Sequence, residues 1–259
     1  MIMNEYNVLQ ENDHIKYKHK LGFKGATLLW FGLFFILAIA GAFLMAFYGP
    51  DVVNYVYSLS LYAQIFIIAG SLATLFIIAM ITMIFGYKFK WWLLLIFASI
   101  LSLFVGGIVM LIAFAGLAIA NDNTIDISVA WKFTVLLFIP ASAFIFSGVL
   151  SSINRLNEKF IYVLISISFF ALLISATVGF FIRRNWLDVL ILSIAFILMY
   201  LYIIIDMYYI HRLSKHFKNP DNADKKEFLR LSIFFGFRLF YDYMVALYYA
   251  FRLYSYIKG

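Results

Sequence analysis

Residues 31–47 read Phe-Gly-Leu-Phe-Phe-Ile-Leu-Ala-Ile-Ala-Gly-Ala-Phe-Leu-Met-Ala-Phe, without a single charged, amide or hydroxyl side chain. At about 1.5 Å per helical residue, this stretch and its flanks cross the roughly 30 Å of hydrocarbon in a bilayer. A barrel strand alternates apolar and polar residues over about ten positions. This run is apolar all round, so it is a membrane helix rather than a strand. The bulk composition extends the conclusion to the whole chain. Of 259 residues, 65% are hydrophobic and 13% charged, with a mean hydropathy of +0.96. A soluble domain cannot hide that much apolar surface.

Seven predominantly apolar runs occur, at about 26–48, 57–85, 91–120, 132–150, 160–182, 186–210 and 231–257. Gly49-Pro50 is expected to break the first from the second, and Gly86 to Lys90 the second from the third. The turn-rich Asn121 to Thr124 and the segment Asn154 to Lys159 flank the fourth run. Arg183-Arg184-Asn185 is so short a connection that spans five and six should be antiparallel neighbours. The expected organisation is a polar N-terminal segment, 1–25, and one seven-helix membrane domain, 26–259. No internal repeat or second domain is apparent, and no removable signal peptide is expected.

Cytoplasmic loops are enriched in Lys and Arg. With the N-terminus inside, the inner segments hold fourteen of these residues, and the outer ones hold four (Lys132, Arg183, Arg184 and Lys258). This bias predicts a cytoplasmic N-terminus and an outside C-terminus. It also accounts for the net charge of +7 without nucleic acid. Trp91, Trp92, Trp131 and Trp186 lie near span ends as interface anchors. The basic segment His211 to Arg230, turning at Asn219 to Asn222, reads as a solvated loop able to touch anionic lipid heads. The usage of Ile, Phe, Lys, Asn and Tyr points to an A/T-rich bacterial genome.

Cysteine is absent, which excludes disulfides and thiol chemistry. The four histidines (His14, His19, His211, His216) lie outside the apolar runs, so no intramembrane haem or zinc site is expected. Gly106-Gly107 and Gly116 read as close-packing positions, and Pro140 as a kink. No Gly-x-Ser-x-Gly, His-Glu-x-x-His or P-loop occurs.

Ionisable groups inside hydrocarbon are expensive and therefore functional candidates. Four qualify: Asp206 in span six, and Arg238, Asp242 and Arg252 in span seven. Asp188 lies at the outer end of span six, near water. Asp206 sits six residues before Arg212, about 9 Å below the inner surface. Leu239 to Ile257 is already long enough to span. If Arg238 snorkels to the interface, Asp242 lies about 6 Å deep and the two carboxylates share a level. Residues 228–237 then become an interfacial or cytoplasmic extension. Neighbouring carboxylates in a poorly solvated place cannot both ionise cheaply, so they titrate as a coupled pair. Such a pair suits a proton sensor or a weak, transient stop for calcium, which wants six to eight oxygens. The competing reading is that Arg238 and Asp242, four apart on one helix face, simply neutralise each other.

The C-terminal segment Leu239-Phe-Tyr-Asp242-Tyr-Met-Val-Ala-Leu-Tyr-Tyr-Ala-Phe-Arg252-Leu-Tyr-Ser255 resembles the last helix of the Bax-inhibitor family of membrane proteins, here a bacterial member. There an aspartate in an aromatic-rich helix is followed ten residues later by arginine. Tyr202-Ile-Ile-Ile-Asp206-Met-Tyr-Tyr-Ile210 is similar to that family's aromatic-Asp-Thr-Gln-x-Ile motif. The specific match covers about the last quarter of the chain. It implies a central seventh helix enclosed by the other six, with Asp206 and Asp242 as the di-aspartyl gate of a pH-sensitive calcium leak. Met207 and Tyr208 stand where the family has Thr-Gln, Ile205 replaces an aromatic, and Val245 an asparagine. The stretch between the two aspartates is about ten residues longer than the family's. Span two offers Gln64, Ser71, Thr74 and Thr82, but no arginine to latch the pair, so Arg238 is the candidate latch and Arg252 a second charge partner.

The expected function is thus an ion leak rather than an enzyme, with lipid, protons and calcium as partners and no cofactor. An intramembrane aspartyl protease is the main rival, since Tyr241-Asp242 matches half of that signature. The Gly-x-Gly-Asp half and the Pro-Ala-Leu element are missing. A transporter would need matched broken helices, which are not found. A scaffold with merely neutralised charges is the last alternative.

Overall fold

The structure is a computed structural model that describes residues 22–119, 127–152, 158–181, 185–217 and 225–258. The expected cytoplasmic segment is described only from residue 22. The breaks at Asn121 to Thr124, Arg183-Arg184 and Asn219 to Asn222, and most of Asn154 to Lys159, lie outside the described residues.

The fold is an all-α bundle with seven helices long and apolar enough to cross a membrane. They are α1 (Phe23–Ser58), α2 (Leu61–Phe85), α3 and α4 (Trp91–Leu101 and Gly107–Ile119, the two halves of span three), α5 (Ile127–Ser152), α6 (Glu158–Phe181), α7 (Asn185–His216) and α8 (Lys225–Lys258). A 3-10 turn, Gly86–Lys88, ends α2, and a π turn, Ser102–Gly106, joins α3 to α4.

One helix differs from the rest. In its most apolar 18-residue window α8 has a mean hydropathy of only 1.2, and 72% of those residues are buried inside the protein. The other spans reach 1.8 to 2.7 with 11% to 33% buried. Lipid demands apolar surface on every face that it touches. A helix wrapped by protein is released from that demand and can carry Arg238, Asp242 and tyrosines. The seventh helix is therefore central, but its wrapping is less complete than expected. It packs chiefly on α1, α7, α5 and the two halves of span three. Helix α2 packs mainly on α3, and α6 on α7, at the periphery. The close packing of α6 on α7 agrees with their short connection.

Two boundaries are corrected. Helix α1 runs through Gly49-Pro50 to Ser58. Proline deletes only one N–H and frees the carbonyl four residues back. At 36 residues α1 is about 54 Å long, so its largely exposed end beyond Pro50 exceeds the hydrocarbon. Helix α7 likewise continues past 210 to His216, so the first basic residues of the expected loop are helical.

Small residues set the spacing of span three on α1. A Cβ added at Gly107 would lie 2.8 Å from the carbonyl carbon of Gly41, and one at Gly106 would lie 2.6 Å from Ala38 Cβ. At Gly41 the added atom would meet the Leu103 carbonyl oxygen at 1.9 Å. That oxygen belongs to the π turn, which pushes backbone toward α1. The close-packing reading of Gly106-Gly107 holds, while the surroundings of Gly116 lie outside the described residues. Pro140 sits inside α5, which remains one helix. Hydroxyls of Tyr200 and Ser142 reach the Ile139 carbonyl at 2.5 and 2.6 Å, and Tyr243 donates to the Leu137 carbonyl at 2.6 Å. Ser142 of the same helix and the tyrosines of α7 and α8 thus bond carbonyls of the turn around the proline.

Candidate functional site

Helix α8 enters the bundle through an aromatic collar. Phe23 of α1 stacks on Phe217 at 5.2 Å and meets Phe228 and Phe235 edge-on. Ile233, Phe234, Phe235 and Phe237 are all buried. A Cβ on Gly236 would lie 2.6 Å from Trp30 Cβ and 2.8 Å from the Thr27 carbonyl oxygen, so α8 crosses α1 here in near backbone contact. Residues 228–237 thus pack against the ends of α1 and α7. The aromatic cluster holds this contact, since large rings bury much apolar surface and pair edge-on or stacked.

The seam between α7 and α8 brings three charged side chains together. Asp206 is fully buried, Asp242 is 7% exposed, and Arg238 keeps 30% of its side chain accessible. Arg238 Nε lies 2.7 Å from Asp206 Oδ2. The Asp206 and Asp242 carboxyl groups are within hydrogen-bonding reach of each other. The residues above and below are apolar and buried: Ile203, Ile205 and Ile210 on α7, and Phe240, Met244 and Ala246 on α8. Asp206 and Asp242 thus share one level.

Charge partners fall differently from the simplest expectation. Arg238 bridges between helices to Asp206 instead of pairing with Asp242 along its own helix. Arg252 takes no part: it is exposed, lies over the Tyr256 ring at 5.7 Å, and stands ten residues, about 15 Å, beyond Asp242. The polar residues of α2 are also elsewhere. Gln64 donates to the carbonyls of Tyr57 and Leu59, and Ser71, Thr74 and Thr82 bond carbonyls of their own helix.

The trio is electrostatically incomplete. Asp206 Oδ1 and Asp242 Oδ2 are buried and accept no hydrogen bond. Two ionised carboxylates are acceptors only, whereas a proton on one makes it a donor to the other. With both ionised, one arginine leaves a net charge of −1 in a desolvated seam. One proton, or one monovalent cation, neutralises it.

A second polar contact escaped the sequence reading. Lys24 Nζ of α1 and His211 Nδ1 of α7 lie 2.6 Å apart at the basic end of the bundle. Only the tertiary fold joins residues 187 positions apart. Among the described residues no three His, Asp or Glu side chains come together as a metal site. A scan against protein-family models finds no match, and searches of curated proteins and of solved structures find none either.

Proposed function

We propose that this chain is a proton-regulated cation leak of the Bax-inhibitor type, with calcium as the permeant ion and the Asp206–Asp242 pair as its gate. The single observation that carries the reading is a pair of facing, buried carboxyl groups with a cation on only one of them. When both are ionised, the spare negative charge attracts a cation into the seam. When one is protonated, the trio is neutral and that attraction is lost. Arg238 is the latch: its bridge to Asp206 ties α7 to α8 at the level of the pair. Two carboxylates with a few carbonyls and waters fall short of the calcium shell, as suits passage rather than storage. The basic end, where α1 and α8 begin, is assigned to the cytoplasm of a bacterial cell on the positive-inside rule. The C-terminus is then outside.

The Arg238–Asp206 bridge also favours a second reading, a non-conducting scaffold whose internal charges are merely neutralised. Calcium flux into proteoliposomes across pH, for wild type and for Asp206→Asn and Asp242→Asn, separates the two. The leak predicts that either substitution changes the flux and that Asp242→Asn flattens its pH profile. Flux that neither substitution alters leaves the scaffold. A protease reading would need cleavage of a transmembrane substrate that Asp206→Asn abolishes. The depth of both carboxyl groups, 0% and 7% exposed, speaks against a peptide reaching them.

A further inference from the structure

The helix faces that carry the charged seam continue, toward the basic end, as the walls of a groove. On α7, Tyr209, Leu213 and His216 follow Asp206 at the spacing of a single helix face. On α8, Leu231, Phe234 and Phe235 precede Arg238, again on one face. Together they line a space of about 500 Å³, whose other lining residues, Tyr87 and Arg212, are exposed at the basic end. The groove and the Asp206–Asp242 pair are therefore aligned along the α7–α8 seam. From Phe234 to Arg238 is four residues, about 6 Å along the helix.

Two rings close the inner end of the groove. Phe234 and Phe235 both line it and both are buried. Phe235 belongs to the aromatic collar, edge-on to Phe23. Phe234 packs instead on the turn that ends α2, its ring edge-on to Tyr87 at 6.2 Å. A Cβ added at Gly86 would lie 3.0 Å from Phe234 Cδ2 and 3.1 Å from Leu94 Cδ1, so the bare glycine is what makes room for the ring. Four residues apart on one helix, Phe234 and Arg238 are stacked one above the other on the same face. An ion passing along the seam from the groove to the pair meets the ring first. A phenyl ring has no oxygen to replace an ion's water shell, and narrow apolar constrictions block ions by staying dry.

We propose that Phe234 is a hydrophobic plug between a water-filled groove and the aspartate pair. The plug rests on the leak reading and adds to it a barrier that does not depend on the charge of the pair. Calcium flux into proteoliposomes at neutral pH tests it. Phe234→Ala should raise the flux about fivefold over wild type, and Phe234→Leu, which keeps part of the bulk, by an intermediate amount. Adding Asp242→Asn to Phe234→Ala should abolish most of the rise. Phe237→Ala removes the same ring from the α1 side of α8, where it meets Phe34 at 5.7 Å, and should raise the flux less than twofold. Leu213→Cys, in a chain with no cysteine of its own, should react with a charged, water-soluble maleimide offered on both faces of the membrane. A wild type that conducts and responds to Asp242→Asn, with no change in Phe234→Ala, would overturn the plug and leave the leak. An equal rise in Phe237→Ala, a rise that survives Asp242→Asn, or an unreactive Leu213→Cys would overturn the plug as well. Vesicles in which neither wild type nor Phe234→Ala conducts would remove the leak itself.

Discussion

Removing Arg238 as Arg238→Gln strips the cation from a fully buried carboxylate and leaves two carboxyl groups facing one another in an apolar seam. Unit charges about 4 Å apart attract by about 4 kcal/mol at the effective dielectric suited to protein sites. Breaking a fully buried pair on one side costs roughly 3–5 kcal/mol. Arg238 keeps 30% of its side chain accessible, so the pair is only half enclosed and the lower end applies. The expected loss is about 3 kcal/mol at neutral pH. A proton can take the place of the missing cation, so the loss should shrink as pH falls and grow as it rises. The companion change Asp206→Asn removes the stranded charge. In the double variant the penalty should largely vanish, a coupling of about 3 kcal/mol between the two positions. Reversible unfolding in mixed micelles of the wild type, both single variants and the double variant, at several pH values, reads all four corners of the cycle. Additive losses, or a penalty from Arg238→Gln that does not vary with pH, would refute the ion pair as the element that holds this seam.

Gly41→Ala should destabilise the bundle by roughly 3 kcal/mol, the upper range for overpacking, because its Cβ would stand 1.9 Å from a backbone oxygen that cannot rotate away. Gly32→Ala, on the same helix with nothing within 4 Å, should be neutral or slightly stabilising in the same unfolding assay. Tyr243→Phe removes the donor 2.6 Å from the Leu137 carbonyl and should cost about 1 kcal/mol. Combined with Pro140→Ala, that cost should change if the tyrosine serves the interrupted turn, and stay constant if it does not.

The lipid-facing part of the fold was legible because hydrocarbon imposes a single requirement, and runs such as Phe31 to Phe47 meet it without ambiguity. Helix ends were less legible. Pro50 reads as a stop, yet nothing in the residue types says whether a proline lies in hydrocarbon or beyond it. Gly106-Gly107 announced close packing, but its partner Gly41 looked like any glycine in an apolar run. The π turn has no residue signature at all, since it comes from an extra residue in one turn of a helix whose neighbours are equally apolar. The packing of residues 228–237 is a related case. Phenylalanines at 234, 235 and 237 suit many apolar surroundings, and only the fold supplies Phe23, Trp30 and Phe217 as what this stretch packs on.

The charged seam shows the same division, with a consequence for how the proposed gate works. That Asp206 and Asp242 meet could be anticipated from depth, because two helices joined at one end share a ruler of 1.5 Å per residue. Which of them Arg238 would serve could not be, because spacing along α8 favours Asp242 and only the crossing of α7 puts Asp206 at 2.7 Å. The cross-helix choice makes the two carboxylates unequal. Asp206 has its counter-ion at every pH at which arginine is charged, whereas Asp242 has neither a cation of its own nor a hydrogen bond to Oδ2. Asp242 is therefore the variable member and Asp206 the fixed one. On the proposed reading, replacing Asp242 by asparagine should imitate the protonated trio, neutral at all pH values. Replacing Asp206 should free Arg238 to turn to Asp242 and remove the bridge between the helices. The two variants should then fail differently, the first by losing its pH response and the second by losing its latch.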